Sequence, residues 1–178
     1  MKDFRNRAVG GENADPMQPL LVAKLIVLLS IANGAPVLLK KLLGHRFSHP
    51  IDGGLIFLDR RRLLGPSKTI RGALVAIVLT TLTAPLLGLE ASTGALIGGV
   101  AMLGDLLSSF IKRRLDFAPS SRVTGLDQIP ESLFPLLACR GPLLLSWIDI
   151  VSGAAFFLLG AILLSPVFHR IGIRDRPF

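Results

Sequence analysis

The chain has 178 residues, 51% of them hydrophobic, with a mean hydropathy of +0.60 and a formal charge of +8. That length suits one domain, and the hydropathy is higher than soluble domains carry. The cations sit at the ends of apolar runs, as in membrane proteins, which argues against nucleic acid as a partner; a single cysteine, Cys139, excludes an internal disulfide and any cysteine-built zinc site, and is expected to pack as a small apolar residue.

Residues 1–17 form a polar, Gly-, Asn- and Pro-containing stretch and are expected to be a loose tail, with 18–178 as a single membrane domain. No short apolar stretch there precedes a small-residue cleavage site, so the first long apolar run is expected to stay as an anchor. That run, from about Pro19 to Leu39, is close to the roughly 20 residues a bilayer needs. Further spans are expected from about Gly72 to Leu89, Thr93 to Ile111 and Trp147 to Phe168. A weaker one starts near Glu131 and is interrupted around Cys139-Arg140-Gly141-Pro142. Pro85, Pro135 and Pro142 would bend helices or end them.

Five spans place the termini on opposite sides, and charge sets the orientation. The 40–71 loop, the 112–130 loop and the tail after Phe168 share one side and carry 15 of the 20 Lys and Arg residues. The positive-inside rule makes that side cytoplasmic and puts the N-terminus outside. The expectation is an all-α, five-span protein of the cell (inner) membrane, with its functional residues near the cytoplasmic face.

Asn33 is placed to cap a broken helix or to touch a substrate. In the basic loop, Asp52 and Asp59 frame Gly53 to Leu58, and local pairing with Arg60 to Arg62 is their default role. The loop closes on Gly65-Pro66-Ser67-Lys68-Thr69-Ile70-Arg71-Gly72. Glycine, hydroxyls and two cations at a helix N-terminus make an anion site. The same residues also read as a basic loop touching lipid headgroups. The likeness to a P-loop is superficial, because the upstream glycine and the Gly-Lys pair are missing.

The third span ends in Gly104-Asp105-Leu106-Leu107-Ser108-Ser109-Phe110-Ile111-Lys112-Arg113-Arg114. On a helix, 105, 108, 109, 112 and 113 share a face. Snorkelling explains the cations but leaves Asp105 unexplained. A carboxylate at that depth costs a few kcal/mol or more, and it needs a cation, a water-filled cavity or a metal as partner. Asp127, in Leu126-Asp127-Gln128, is either a helix cap or a second carboxylate of a shared Mg²⁺ site. His45, His49 and His169 are scattered, and Arg140 and Asp149 fall near the outer side as structural residues.

Ala32 to Val37, Asp52-Gly53-Gly54, Gly65 to Gly72, Gly104-Asp105 through Lys112-Arg113-Arg114, and Leu126-Asp127-Gln128 together resemble the CDP-archaeol synthase family, small relatives of the CDP-diacylglycerol synthases. The resemblance runs from about residue 20 to 175, and Ser109 to Arg113 is its most specific block. It implies a Mg²⁺-dependent enzyme that joins CTP to a lipid glycerol phosphate, giving a CDP-lipid and pyrophosphate. It implies that Asp105 and Asp127 hold metal, with Glu131 as a further ligand, and that Asp105, Lys112 and Asp127 act at the reacting centre. Asn33, Ser67, Lys68, Thr69, Arg71, Ser109 and Arg113 would bind nucleotide and phosphates. The partners are CTP, phosphatidic acid or an ether-lipid analogue, and membrane lipids; a homodimer is compatible with the chain. Three positions depart from the family pattern: Pro130 stands where a second Asp is usual, Ile70 where Trp is usual, and Arg60 where Gly is usual. The rival readings are a non-catalytic binder of anionic lipid and a small transporter with Asp105 in its pathway.

Overall fold

The structure, a computed structural model, describes residues 17–44, 46–118, 121, 123 and 125–170. Residues 1–16 of the expected 1–17 tail, His45, Arg122 and the basic residues after Arg170 lie outside them. Six helices follow in order: α1 Pro19–Leu43, α2 Ile70–Leu86, α3 Ala91–Arg114, α4 Gln128–Ala138, α5 Arg140–Leu143 and α6 Trp147–Arg170. Among the described residues there is no strand, only two isolated bridges in the 44–69 connection.

α1, α3 and α6 are long and apolar enough to cross a membrane; α2 is apolar but has 17 residues. α1 runs through Pro36 to Leu43, past the expected end near Leu39. Gly44 then turns the chain at φ 54°, a left-handed conformation open to glycine. α2 starts at Ile70, where the Thr69 hydroxyl accepts a hydrogen bond from the Gly72 amide at 3.3 Å.

The expected fourth span is two pieces, broken at Cys139 as the Arg140-Gly141-Pro142 run foretold. At 11 residues α4 rises only about 16 Å, half of what a bilayer core needs. With α5 it nevertheless joins the two ends of the bundle. At its start Asp127 pairs with Lys112 in the last turn of α3. Beyond its end the Leu144 carbonyl accepts from the Gln18 side chain, just before α1. Asp149, fully buried, closes this second end. Its carboxylate accepts from the Gln18 amide at 2.7 Å and from the Ser146 amide and hydroxyl. Asp149 is thus the structural residue the sequence implied. Arg140 is structural too, stacked over Trp147 at 4.1 Å.

The core gathers Leu25, Leu28 and Leu29 of α1, Ile97 and Ala101 of α3, Leu136 of α4, and Ile150 and Phe157 of α6, with Cys139 among them. Between apolar helices in hydrocarbon, burying a leucine gains little transfer energy, and close van der Waals packing carries association. Small residues supply it here. A Cβ on Gly94 would stand 2.3 Å from the Thr80 carbonyl oxygen, and one on Gly98 the same distance from the Thr80 hydroxyl, so α3 lies directly on α2. A Cβ on Gly104 would stand 2.4 Å from the Pro130 carbonyl oxygen. α4 therefore enters against α3 one residue before Asp105.

Candidate active site

Five ionisable side chains from three segments meet where α3 ends and α4 begins. Lys68, two residues before α2, reaches across to α3 and places Nζ 2.5 Å from Asp105 Oδ1. The Glu131 carboxyl, in the first turn of α4, lies close enough to Asp105, Lys68 and Asp127 to feel the charge of all three. Asp127, just ahead of α4, has Oδ1 2.6 Å from Lys112 Nζ. The order Lys68, Asp105, Glu131, Asp127, Lys112 puts a cation at each end of three carboxyl groups.

Local structure fixes each member. Asp105 and Lys112 lie two helical turns apart on one face of α3. Lys112 also donates to the Ser121 carbonyl at 2.9 Å, while Asp127 Oδ2 accepts the Val123 amide at 3.1 Å. The 115–127 connection is thereby folded over the end of α3. Arg113, 7% exposed, donates to the Ala118 carbonyl in the same connection. Pro130 removes a backbone donor, and its carbonyl sits on Gly104, which brings the next residue, Glu131, against Asp105. Ile70, the second departure, is half exposed at the start of α2.

Lys68 owes its position to Asp52. That carboxylate, 4% exposed, accepts the backbone amides of Gly54, Leu64 and Gly65, each at 3.0 Å. Burial works to raise its pKa, but the amides of Gly65, Gly54 and Leu64 and the Arg62 charge outweigh it and hold the carboxyl below its ordinary value. Local pairing with Arg60–Arg62 was the expected role of Asp52; backbone amides are its main partners instead. The signal was present in Asp52-Gly53-Gly54, where an Asp side chain bonds the amide two residues on and a glycine follows. Asp59 accepts the Arg61 backbone amide at 3.1 Å through one oxygen and pairs with the Arg114 guanidinium of α3 at 3.1 Å through the other.

Other expected members of the site are placed differently. Arg71 turns its guanidinium to the carbonyls of Gly44 and Arg46, where α1 ends and leaves carbonyls without helical partners. Asn33 spends its amide nitrogen on the Leu29 carbonyl one turn back, at 3.0 Å. The Thr69 oxygen is the α2 cap acceptor, leaving its proton free to donate. Ser67 is exposed beside Lys68, and Ser109 is buried on α3 between Asp105 and Lys112.

The row suits a hard divalent cation. Asp105 and Glu131 are close enough to repel each other when both are ionised, and Lys68 is the cation already at Asp105. Asp127 Oδ1 is buried and, despite its ion pair, makes no hydrogen bond. Among the described residues there is no tight cluster of three metal-ligating side chains, so Asp105, Asp127 and Glu131 do not form a closed cage. A cation held there would need substrate phosphates or water to complete its shell, as Mg²⁺ commonly does.

A family model described as CarS-like, CDP-archaeol synthase, matches residues 19–177. The CDP-archaeol synthase of Thermofilum pendens is 32% identical over 165 residues, covering 83% of this chain and 76% of that one. Its counterpart from Pyrobaculum calidifontis is 37% identical over 145 residues, covering 79% and 81%. That from Hyperthermus butylicus is 40% identical over 133 residues, covering 70% and 75%. A solved structure described as an intramembrane enzyme for archaeal membrane lipids biosynthesis superposes with a TM-score of 0.67 at 32% identity, covering 79% of this chain and 89% of the other.

Proposed function

Because this chain belongs to the CDP-archaeol synthase family, we propose that the row from Lys68 to Lys112 is where CTP meets its lipid partner. The protein is a membrane-embedded, CTP-dependent cytidylyltransferase that activates a lipid phosphate to a CDP-lipid. A lipid phosphate oxygen forms a bond to the α-phosphorus of CTP, the bond to the β-phosphate oxygen breaks, and pyrophosphate leaves. The attacking oxygen is already anionic, so no strong general base is needed. The demand is to bring two polyanions together and to stabilise the leaving group.

The observation that carries this reading is the pair of cation–carboxylate contacts, Lys68–Asp105 and Lys112–Asp127, with Glu131 near both carboxylates. Each lysine becomes available to phosphate oxygens once its carboxylate accepts another cation. Lys68 and Lys112 then hold the triphosphate from opposite ends of the row, and Arg113 adds positive charge behind Lys112. Asp105 and Asp127 would hold Mg²⁺, with Glu131 beside them, and the ion would supply Lewis-acid neutralisation of the phosphates. Ser67, Thr69 and Ser109 offer hydroxyl donors around this centre. A homodimer is not needed, since one chain supplies the whole row.

We keep five crossings: α1, α3 and α6 are long and apolar enough to span, α2 is a shorter apolar helix, and α4 with α5 would make the fourth. The basic connections and the row lie at one end, which the positive-inside rule makes cytoplasmic. On this reading the row would sit at the inner surface of the cell membrane, where CTP arrives from water and lipid tails remain in the bilayer. The substrate is taken to be an ether-linked lipid phosphate, in keeping with the product for which the relatives are named. Purified protein given labelled CTP, Mg²⁺ and a panel of ether- and ester-linked lipid phosphates should release pyrophosphate fastest with the ether lipid. No pyrophosphate from any of them would favour a non-catalytic lipid binder; equal rates would remove the ether preference.

A further inference from the structure

The 44–69 connection carries four consecutive apolar residues, Leu55-Ile56-Phe57-Leu58, directly before Asp59 and three arginines. Leu55, Ile56 and Leu58 are 64%, 68% and 93% exposed. They are not loose. The Arg60 amide bonds the Phe57 carbonyl at 2.9 Å, and the Leu63 amide bonds the Leu55 carbonyl at 2.9 Å, closing a narrow hairpin-shaped turn. Arg60 takes φ 62° within it, the left-handed region that the usual glycine of the family pattern would enter without strain. Arg61 donates to the Arg114 carbonyl at 3.0 Å, and Asp59 pairs with Arg114. The Arg114 guanidinium lies over the rings of both Phe57 and Phe110, at 4.7 and 4.9 Å. The turn is therefore bolted to the last turn of a membrane-crossing helix, where Lys112-Arg113-Arg114 mark the level of the headgroups.

An apolar tip held at that level, with exposed Arg60 and Arg62 beside it, is matched to a surface that is hydrocarbon below and anionic above. We propose that the Leu55–Leu58 turn is an interfacial anchor. Leu55, Ile56 and Leu58 enter the acyl–headgroup boundary of the leaflet at this end, and Arg60 and Arg62 hold anionic headgroup phosphates. The anchor acts on the site through two ties: Arg114 to the helix that carries Asp105 and Lys112, and Asp52 to the strap that carries Lys68. It fixes the depth of the charged row relative to the lipid phosphates. The inference rests on the membrane embedding of the chain and not on its cytidylyltransferase chemistry.

Depth can be read directly on the full chain carrying Leu58→Cys and a nitroxide label, since native Cys139 is fully buried. In vesicles of phosphatidylcholine with phosphatidylglycerol, the label should collide freely with oxygen and poorly with a water-soluble nickel chelate. A label on Ser67→Cys, exposed in the same connection, should show the reverse. Free nickel access at position 58 would overturn the proposal, and so would dipolar broadening that vanishes on dilution with unlabelled protein, which would assign the tip to a second copy. Independently, Ile56→Asp/Leu58→Asp should raise KM for vesicle-borne lipid phosphate at least several-fold while leaving kcat, and KM for a short-chain monomeric lipid phosphate, unchanged. An unchanged vesicle KM, or an equal rise with both substrates, would overturn it as well.

Discussion

Lys112 Nζ stands 2.6 Å from Asp127 Oδ1, with only 8% and 12% of the two side chains exposed. A charge buried to that degree is tolerable only while its partner is present, and removing one member of such a pair costs about 3–5 kcal/mol. Lys112→Ala is expected to lose stability on that scale together with CDP-lipid formation. Lys112→Met/Asp127→Leu should regain most of the stability and none of the activity. Thermal unfolding in detergent and turnover of labelled CTP separate the two effects. A double variant as unstable as the single one would mean that the pair does not hold the end of α3 to the start of α4.

Asp105 tests the chemistry more cleanly, because Asn keeps its shape. Asp105→Asn should leave the unfolding temperature close to that of the parent and reduce turnover by about 10²–10³, the usual scale for an electrostatic group at a reacting centre. Lys68→Ala should mainly raise KM for CTP, since Lys68 reaches the row from a separate strap. Full activity in the first variant would remove Asp105 from the site, and unchanged kinetics in the second would do the same for Lys68.

Glu131 is expected to act through the divalent cation. Glu131→Gln keeps a hydrogen-bonding group against Asp105 but removes a carboxylate from the row. The Mg²⁺ concentration giving half-maximal turnover should rise by about tenfold, the lower end of what a group tuning a metal site costs, with KM for lipid unchanged. An unaltered Mg²⁺ dependence would leave only Asp105 and Asp127 as ligands.

That Asp105 needs a partner was legible in the sequence, because a carboxylate inside an apolar helix cannot stand alone; that Lys68 from a separate strap is the cation at it was not, because the contact depends on how the 44–69 connection folds. Arg71 was not legible, because its choice between a phosphate site and the open carbonyls after α1 depends on where Gly44 ends that helix. Asp52 was misread for a related reason. Proximity in sequence pointed to Arg60–Arg62, whereas three amides brought together by the folded loop satisfy it better. The fourth span was foreseen as interrupted, but its short α4 could only be placed once the Gly104–Pro130 contact was known. Neither residue advertises that contact on its own.

That contact makes its own prediction. Gly104→Ala drives a methyl group to 2.4 Å from the Pro130 carbonyl oxygen, a backbone atom that cannot swing away. The expected loss is about 1–3 kcal/mol from overpacking, with Glu131 displaced from Asp105 and turnover reduced in step. Gly99→Ala, five residues earlier on α3 with nothing within 4 Å, should instead gain up to about 1 kcal/mol from helix propensity. Equal effects at the two positions would show that α3 and α4 do not touch there.

Asp52 links the loop to pH. Its folded-state pKa lies below the ordinary value of 3.8, chiefly because three amides outweigh the effect of burial. A depressed carboxyl pKa contributes stability that is fully present above the unfolded value and is lost as pH falls through the folded one. The stability gap between the parent and Asp52→Asn should therefore be constant from about pH 8 to pH 5 and shrink below about pH 4. At neutral pH the gap should be about 1–3 kcal/mol, since a charged acceptor is replaced by a neutral one. Because the same amides include those of Leu64 and Gly65, the strap carrying Lys68 should loosen in the variant, raising KM for CTP while Asp105 and Lys112 remain in place. Chemical unfolding in detergent at several pH values measures the first effect and steady-state kinetics at neutral pH the second. A gap that does not change across the acidic range would mean that the Asp52 carboxylate is not what organises the loop.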